Sequence, residues 1–170
     1  ITKAIEQINL PDRTSDIMRR AFAGLRQGRS GPMAVEIPAD VALEDVNEES
    51  FYYVPSRPTV SQGNPADVEA AAKALCSAHY PILMAGQGVL YAKASEELTE
   101  LAELLQVPVC STLLGKSAFP EVHPLALGST GPTISGHAYH FIRRSDLIFG
   151  VGTSFTKHGM VMNLPSGKTL

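Results

Sequence analysis

Gly86, Gln87 and Gly88 interrupt the stretch "PILMAGQGVLYAKASEELTELAELLQVPVCST", residues 81 to 112, between an apolar run and a helical pattern. A turn of this kind has two readings. Its backbone N–H groups hold a nucleotide's phosphates, or its glycines only let a strand turn sharply into a helix. Tyr91 stands where the third glycine of GxGxxG would be, so the dinucleotide fingerprint is incomplete and both readings stay open. Thr112, Thr153 and Ser154 offer hydroxyls and N–H groups of the type that bind phosphate, although such residues more often cap helices or close ST-turns. Arg29, in "GRSGP", is suited to a diphosphate or to a surface ion pair.

Other polar residues suggest less. Lys116 and Lys157 read as solvated side chains, and His123 and His158 have no Cys, Asp or Glu partners at ligand spacing, so no metal site is expected. Arg19-Arg20 and Arg143-Arg144 read as exposed helix faces. Glu96, Glu97, Glu100 and Glu103 fall away from the Leu98–Leu101–Leu105 stripe and read as a solvated face. No nucleophile, base and orienting group stand together, so no residue is assigned a catalytic role.

The elements that must position these residues follow from periodicity. Residues 13 to 28 have helical spacing, with Thr14 or Ser15 as cap and Gly28 as stop. Met33, Val35 and Ile37 alternate into a short strand ended by Pro38. Residues 39 to 65 are acidic, then rich in Pro, Ser and Gly, and read as a linker. Asn64 and Pro65 open a helix to about Ala78. A strand is expected at 81–85, a helix at 91–105, a strand at 107–111, a long loop at 115–132, a helix at 134–144 and a strand at 146–151. A further strand is expected from Lys168. Alternating β and α segments with apolar strands predict an α/β fold, a parallel sheet flanked by helices. Ligands of such sheets sit beyond the carboxyl ends of the strands. The Gly86, Thr112 and Gly152 turns should therefore share one edge.

Composition sets the outer limits. The 170 residues suit one ordinary domain with an appendage, and 44% hydrophobic residues suit a packed core. A net charge of −3 suggests neither nucleic acid nor an anionic membrane as partner. No run approaches the length of a membrane helix, and no signal-peptide pattern is visible. Cys76 and Cys110 form no CxxC and read as buried free thiols, consistent with a reducing cytoplasm. The chain opens at Ile1 and closes on Lys168-Thr169-Leu170, so a piece of a longer protein is expected.

Four strings, taken in order, resemble the thiamine-diphosphate-dependent enzymes of the acetolactate synthase type. "GRSGPMAVEIPADV" is similar to the end of their N-terminal pyrimidine-binding domain. "PILMAGQGV", "PVCSTLLGKSAFPEVHPLALGSTG" and "SDLIFGVGTSF" resemble successive landmarks of their central domain. The resemblance covers nearly the whole chain. It implies a tail of the first domain at 1–45, a linker at 46–63 and a central, Rossmann-like domain at 64–170.

The family's activity implies a lyase or transferase acting on a 2-oxo acid, with thiamine diphosphate and magnesium as cofactors and a homo-oligomer as the working form. The resemblance places the catalytic glutamate before Ile1 and the magnesium-binding GDG…N stretch after Leu170, so the residues present are expected to be inactive alone. For the central domain it implies FAD or ADP as ligand, or no ligand. Carried over by position, Arg29 is a cofactor-contacting arginine and Gly86, Gln87 and Gly88 form the glycine-rich turn. Thr112, Leu113 and Leu114 run along the flavin side, and Gly152, Thr153 and Phe155 form the next strand end. The pattern departs at "GTSFTKH", where Ser154 and His158 replace two arginines. A stand-alone nucleotide-binding module is the alternative. If the Met33–Ile37 strand has lost its parent sheet, residues 1–45 should be rearranged, swapped or docked on the central sheet.

Overall fold

The computed structural model describes residues 1–57, 61–131, 134–156 and 164–170. The chain divides into two compact units, Ile1–Gln62 and Gly63–Leu170.

In the first unit, strand β1 (Ala4–Gln7) leads through a short turn into helix α1 (Thr14–Arg26), which returns to strand β2 (Met33–Glu36). The two strands pair in parallel, with Ile5 opposite Ala34 and Glu6 opposite Val35. β2 is therefore not an orphan, and it is not a member of the larger sheet: the expectation of docking there is corrected. β1 escaped notice because it has one large apolar residue, Ile5, and that side chain is 67% exposed. Helix α1 buries Ile17 and Ala21, and its Gly24 lies against the Met33 side chain. Thr14 does not cap it. The Thr14 hydroxyl donates back to the Pro11 carbonyl at 2.6 Å, within a one-turn 3-10 segment that precedes the helix. Lys3 Nζ closes the other end, donating to the carbonyls of Gly24 and Gln27 at 2.8 Å each. Residues 39 to 57 hold a single helical turn, α2 (Ala39–Ala42), and a 3-10 turn at Glu48–Ser50.

The second unit starts with helix α3 (Pro65–Ser77). The Asn64 side chain accepts from the Ala66 N–H at 3.0 Å and Pro65 fills the first position, as the sequence predicts. Strand β3 (Pro81–Ala85) follows, then helices α4 (Gln87–Ala92) and α5 (Ser95–Leu105). One helix was expected here. Lys93 takes a left-handed conformation, φ 57°, which ends α4 and lets α5 start again at a new angle. Strand β4 (Val109–Ser111), strand β5 (Ala126–Ser129), helix α6 (Gly136–Arg144) and strand β6 (Leu147–Val151) complete the unit. β5 lies inside the stretch expected to be a loop. The strand expected from Lys168 is reduced to one parallel bridge, Leu147 to Thr169.

The sheet order is β5-β4-β3-β6, all parallel. β3 is central and covered on both faces. Leu83 and Ala85 pack with Val89, Leu98 and Ala102 from α4 and α5. Ile82 and Met84 pack on the other face with Ala138 and Ile142 from α6. Ile82 and Leu83 are 1% and 0% exposed, so each contributes about 1.5–3 kcal/mol of transfer free energy. The α/β architecture with parallel sheets and flanking helices is the fold class that the sequence predicts.

Candidate functional site

The carboxyl ends of β3, β4 and β6 meet on one rim because the three strands are adjacent and parallel. The connections there are joined backbone to backbone. The Gly86 N–H donates to the Val151 carbonyl at 2.8 Å, Gly88 N–H to the Gly152 carbonyl at 2.9 Å, and Thr112 N–H to the Ala85 carbonyl at 2.8 Å. A Cβ on Gly86 would stand 2.2 Å from the Gly152 carbonyl oxygen, and one on Gly152 2.5 Å from the Val89 nitrogen. Gly152 also has φ +62°, a conformation that side chains disfavour. The glycines of the 86–88 turn are thus accounted for by close approach of neighbouring backbone, and two of the turn's amides are already engaged.

Thr112 caps the 3-10 turn Leu113–Gly115, its hydroxyl accepting from the Gly115 N–H at 3.1 Å. That turn leaves Leu113 and Leu114 57% and 67% exposed, an apolar ledge beside the β4 exit. Past β6, the Ser154 and Thr156 hydroxyls bond to each other at 2.6 Å. Phe155, at φ 47°, turns its ring back over Gly150 and joins the core beneath α6. Gln87 opens α4 at the same rim. The rim therefore gathers Gly86, Gln87, Gly88, Thr112, Leu113, Leu114, Gly152 and Thr153. Phe155 belongs to the core below it. Arg29 belongs to the first unit, exposed on the turn between α1 and β2. Lys157 and His158 lie outside the described residues.

Three polar groups have roles that sequence reasoning missed. His123 stands 3.1 Å from Glu103 through Nε2, and its Nδ1 accepts from the Leu125 N–H at 3.2 Å. It ties the β4–β5 connection to α5. Glu103 is thus more than part of a solvated face. Asp146 accepts the His79 N–H at 2.7 Å and the Tyr80 N–H at 2.9 Å, which fixes the entry to β3. These amide bonds, the His79 one first, hold its carboxyl below the ordinary value of 3.8. Lys168 Nζ donates to the Arg143 and Ser145 carbonyls and closes the end of α6. No local pattern announces the Asp146 clamp, because its partners lie 66 and 67 residues away in the chain.

The cysteines differ. Cys110 is fully buried beneath α6, and burial pushes its thiol up to about 12. Cys76 is exposed, which corrects the expectation that both are buried.

The chemistry available at the rim is limited. Among the described residues no group of three or more His, Cys, Asp or Glu side chains is placed to hold a metal ion. Among the described residues, no helix is long and apolar enough to cross a membrane.

Comparison with known proteins is consistent with this arrangement. The family model "Thiamine pyrophosphate enzyme, central domain" matches residues 68–168. A probable acetolactate synthase large subunit from Methanocaldococcus jannaschii is 36% identical over 162 residues, 92% of this chain and 27% of that protein. A glyoxylate carboligase from Escherichia coli O157:H7 is 31% identical over 157 residues, 91% of this chain and 26% of that protein. The crystal structure of benzoylformate decarboxylase from Polynucleobacter necessarius superimposes with a TM-score of 0.75 at 26% identity, over 99% of this chain and 32% of that one. The chain thus spans about a quarter to a third of the length of these relatives.

Proposed function

The chain belongs to the thiamine pyrophosphate enzymes through their central domain, and on that premise we propose that it is the non-catalytic middle of an acetolactate-synthase-like lyase or transferase. The substrate class proposed is a 2-oxo acid, since two of the similar proteins carry glyoxylate and benzoylformate in their names. Thiamine diphosphate and magnesium would then be held by sequence outside residues 1–170, in a homo-oligomer. One observation carries the non-catalytic role. The Gly86 and Gly88 amides and the Thr112 hydroxyl are engaged by neighbouring protein groups. The rim in this reading is a structural joint that keeps three strand exits in register.

A second reading has one observation in its favour. Leu113 and Leu114 form an exposed apolar ledge at the β4 exit of the rim, of the kind that receives the flat body of FAD or the adenine of ADP. Arg29 and Phe155 would take part only by analogy with the family.

The experiment uses the full-length protein that carries these residues. Calorimetric titration with thiamine diphosphate and magnesium should give saturable heat; its absence overturns the enzyme reading. Parallel titrations with FAD and ADP decide the role of the rim. Silence for both selects the structural joint, whereas saturable binding that Leu114→Asn abolishes selects the nucleotide site.

A further inference from the structure

The opposite edge of the sheet, where the strands begin, holds a cavity of about 490 Å³. Its apolar part is formed by Ile82, Leu105, Val107 and Phe141. Ile82 and Val107 are 1% and 4% exposed and form its floor as part of the core, while Leu105 is half-buried and Phe141 is exposed at its mouth. The polar lining includes the exposed side chains of His79, His140 and Arg144, together with Tyr80, Gln106 and Ser145. No Asp or Glu lines the cavity. The nearby carboxylate of Asp146 is taken up by the His79 and Tyr80 amides, which fix the loop that carries His79.

Three helices end here, and helix C-termini ordinarily favour cations. Two of those ends are already closed. Lys168 occupies the last carbonyls of α6. The Gln106 side chain donates to the Glu103 carbonyl of α5 at 2.8 Å, and its backbone caps the same turn. Among the described residues, the Arg144 guanidinium and the rings of His79 and His140 have no hydrogen-bond or ion-pair partner, although the His140 ring lies edge-on to Phe141. A guanidinium is always charged, and an imidazole donates at least one N–H in either protonation state. The cavity thus offers N–H donors and one permanent positive charge against an apolar wall.

We propose that this amino-edge cavity binds a small organic monocarboxylate with an apolar or aromatic body, its carboxylate on Arg144 and the two imidazoles. The volume is in the range of small-molecule sites, and the pairing of apolar lining with few convergent polar groups is what such sites share. A single guanidinium matches a monoanion, and its fork suits a carboxylate. The site lies at the other end of the strands from the Gly86 rim and does not depend on the thiamine assignment.

The test follows the ring signals of His79 and His140 by NMR in the full chain, with phenylacetate as probe and phenylacetamide as its uncharged counterpart. Phenylacetate should move both rings saturably, and phenylacetamide should bind at least about tenfold more weakly. Arg144→Gln should weaken phenylacetate by about tenfold or more. Arg143→Gln, one position along the helix and outside the cavity, should leave the affinity unchanged. An unaltered backbone spectrum in Arg144→Gln separates loss of the charge from loss of the fold. The proposal is overturned if neither ring moves saturably up to about 10 mM. Equal binding of acid and amide, or full affinity in Arg144→Gln, overturns it equally.

Discussion

Gly86 and Gly152 touch through their backbones: the space a Cβ on Gly86 would need is 2.2 Å from the Gly152 carbonyl oxygen, which also accepts the Gly88 N–H at 2.9 Å. The exits of β3 and β6 are therefore one joint, with no side chain between them. Because the atoms in the way are backbone, nothing flexible is available to move aside.

Gly86→Ala should cost about 3 kcal/mol, at the upper end of what overpacking produces, and should lower the urea midpoint accordingly. Gly136→Ala serves as contrast. Nothing lies within 4 Å of a Cβ there and the residue opens α6, so the change should be neutral or stabilising by up to about 1 kcal/mol. If Gly86→Ala unfolds within about 0.5 kcal/mol of the parent, the joint is not tight.

Asp146 predicts an acid dependence. Its folded value is lowered, chiefly by the His79 amide, so its contribution is fully present above the ordinary value of 3.8 and is lost as pH falls through the lower folded value. Asp146→Asn should be less stable than the parent at neutral pH, and the difference should shrink as pH drops below 3.8. Chemical denaturation at a series of pH values checks the sign. A difference that stays constant through the acid range would remove Asp146 as its source.

The two thiols should react on separate timescales. Cys76 is exposed, whereas Cys110 is buried, donates to the Leu83 carbonyl at 3.5 Å and has its thiol pushed up to about 12. Ellman's reagent at pH 8 should label one cysteine quickly and the second only in denaturant. Rapid labelling of both in the native protein would place Cys110 at the surface.

What the sequence disclosed, and what it withheld, follow from the range of the interactions. Asn64 with Pro65 and the runs Pro81–Ala85 and Leu147–Val151 were legible, because caps and doubly buried strands are written in neighbouring residues. β1 and β5 were not, because each carries a single large apolar residue, Ile5 and Leu127, and so neither an apolar run nor an alternation. The break at Lys93 was hidden because a left-handed lysine has no compositional mark. The shared rim could be inferred from parallel order, yet the Gly86–Gly152 contact that explains its glycines joins segments far apart in the chain. The Asp146 clamp and the amino-edge cavity are long-range in the same way, and neither was foreseen.

The central place of β3 also has a consequence in time. Its neighbours, β4 and β6, emerge from the ribosome after it, and the Tyr80–Asp146 clamp that fixes its start joins residues 66 positions apart. A nascent chain must therefore carry its most buried strand half-paired until α6 and β6 are synthesised. During that interval the strand is the segment on which a holding chaperone, or another nascent copy, would act.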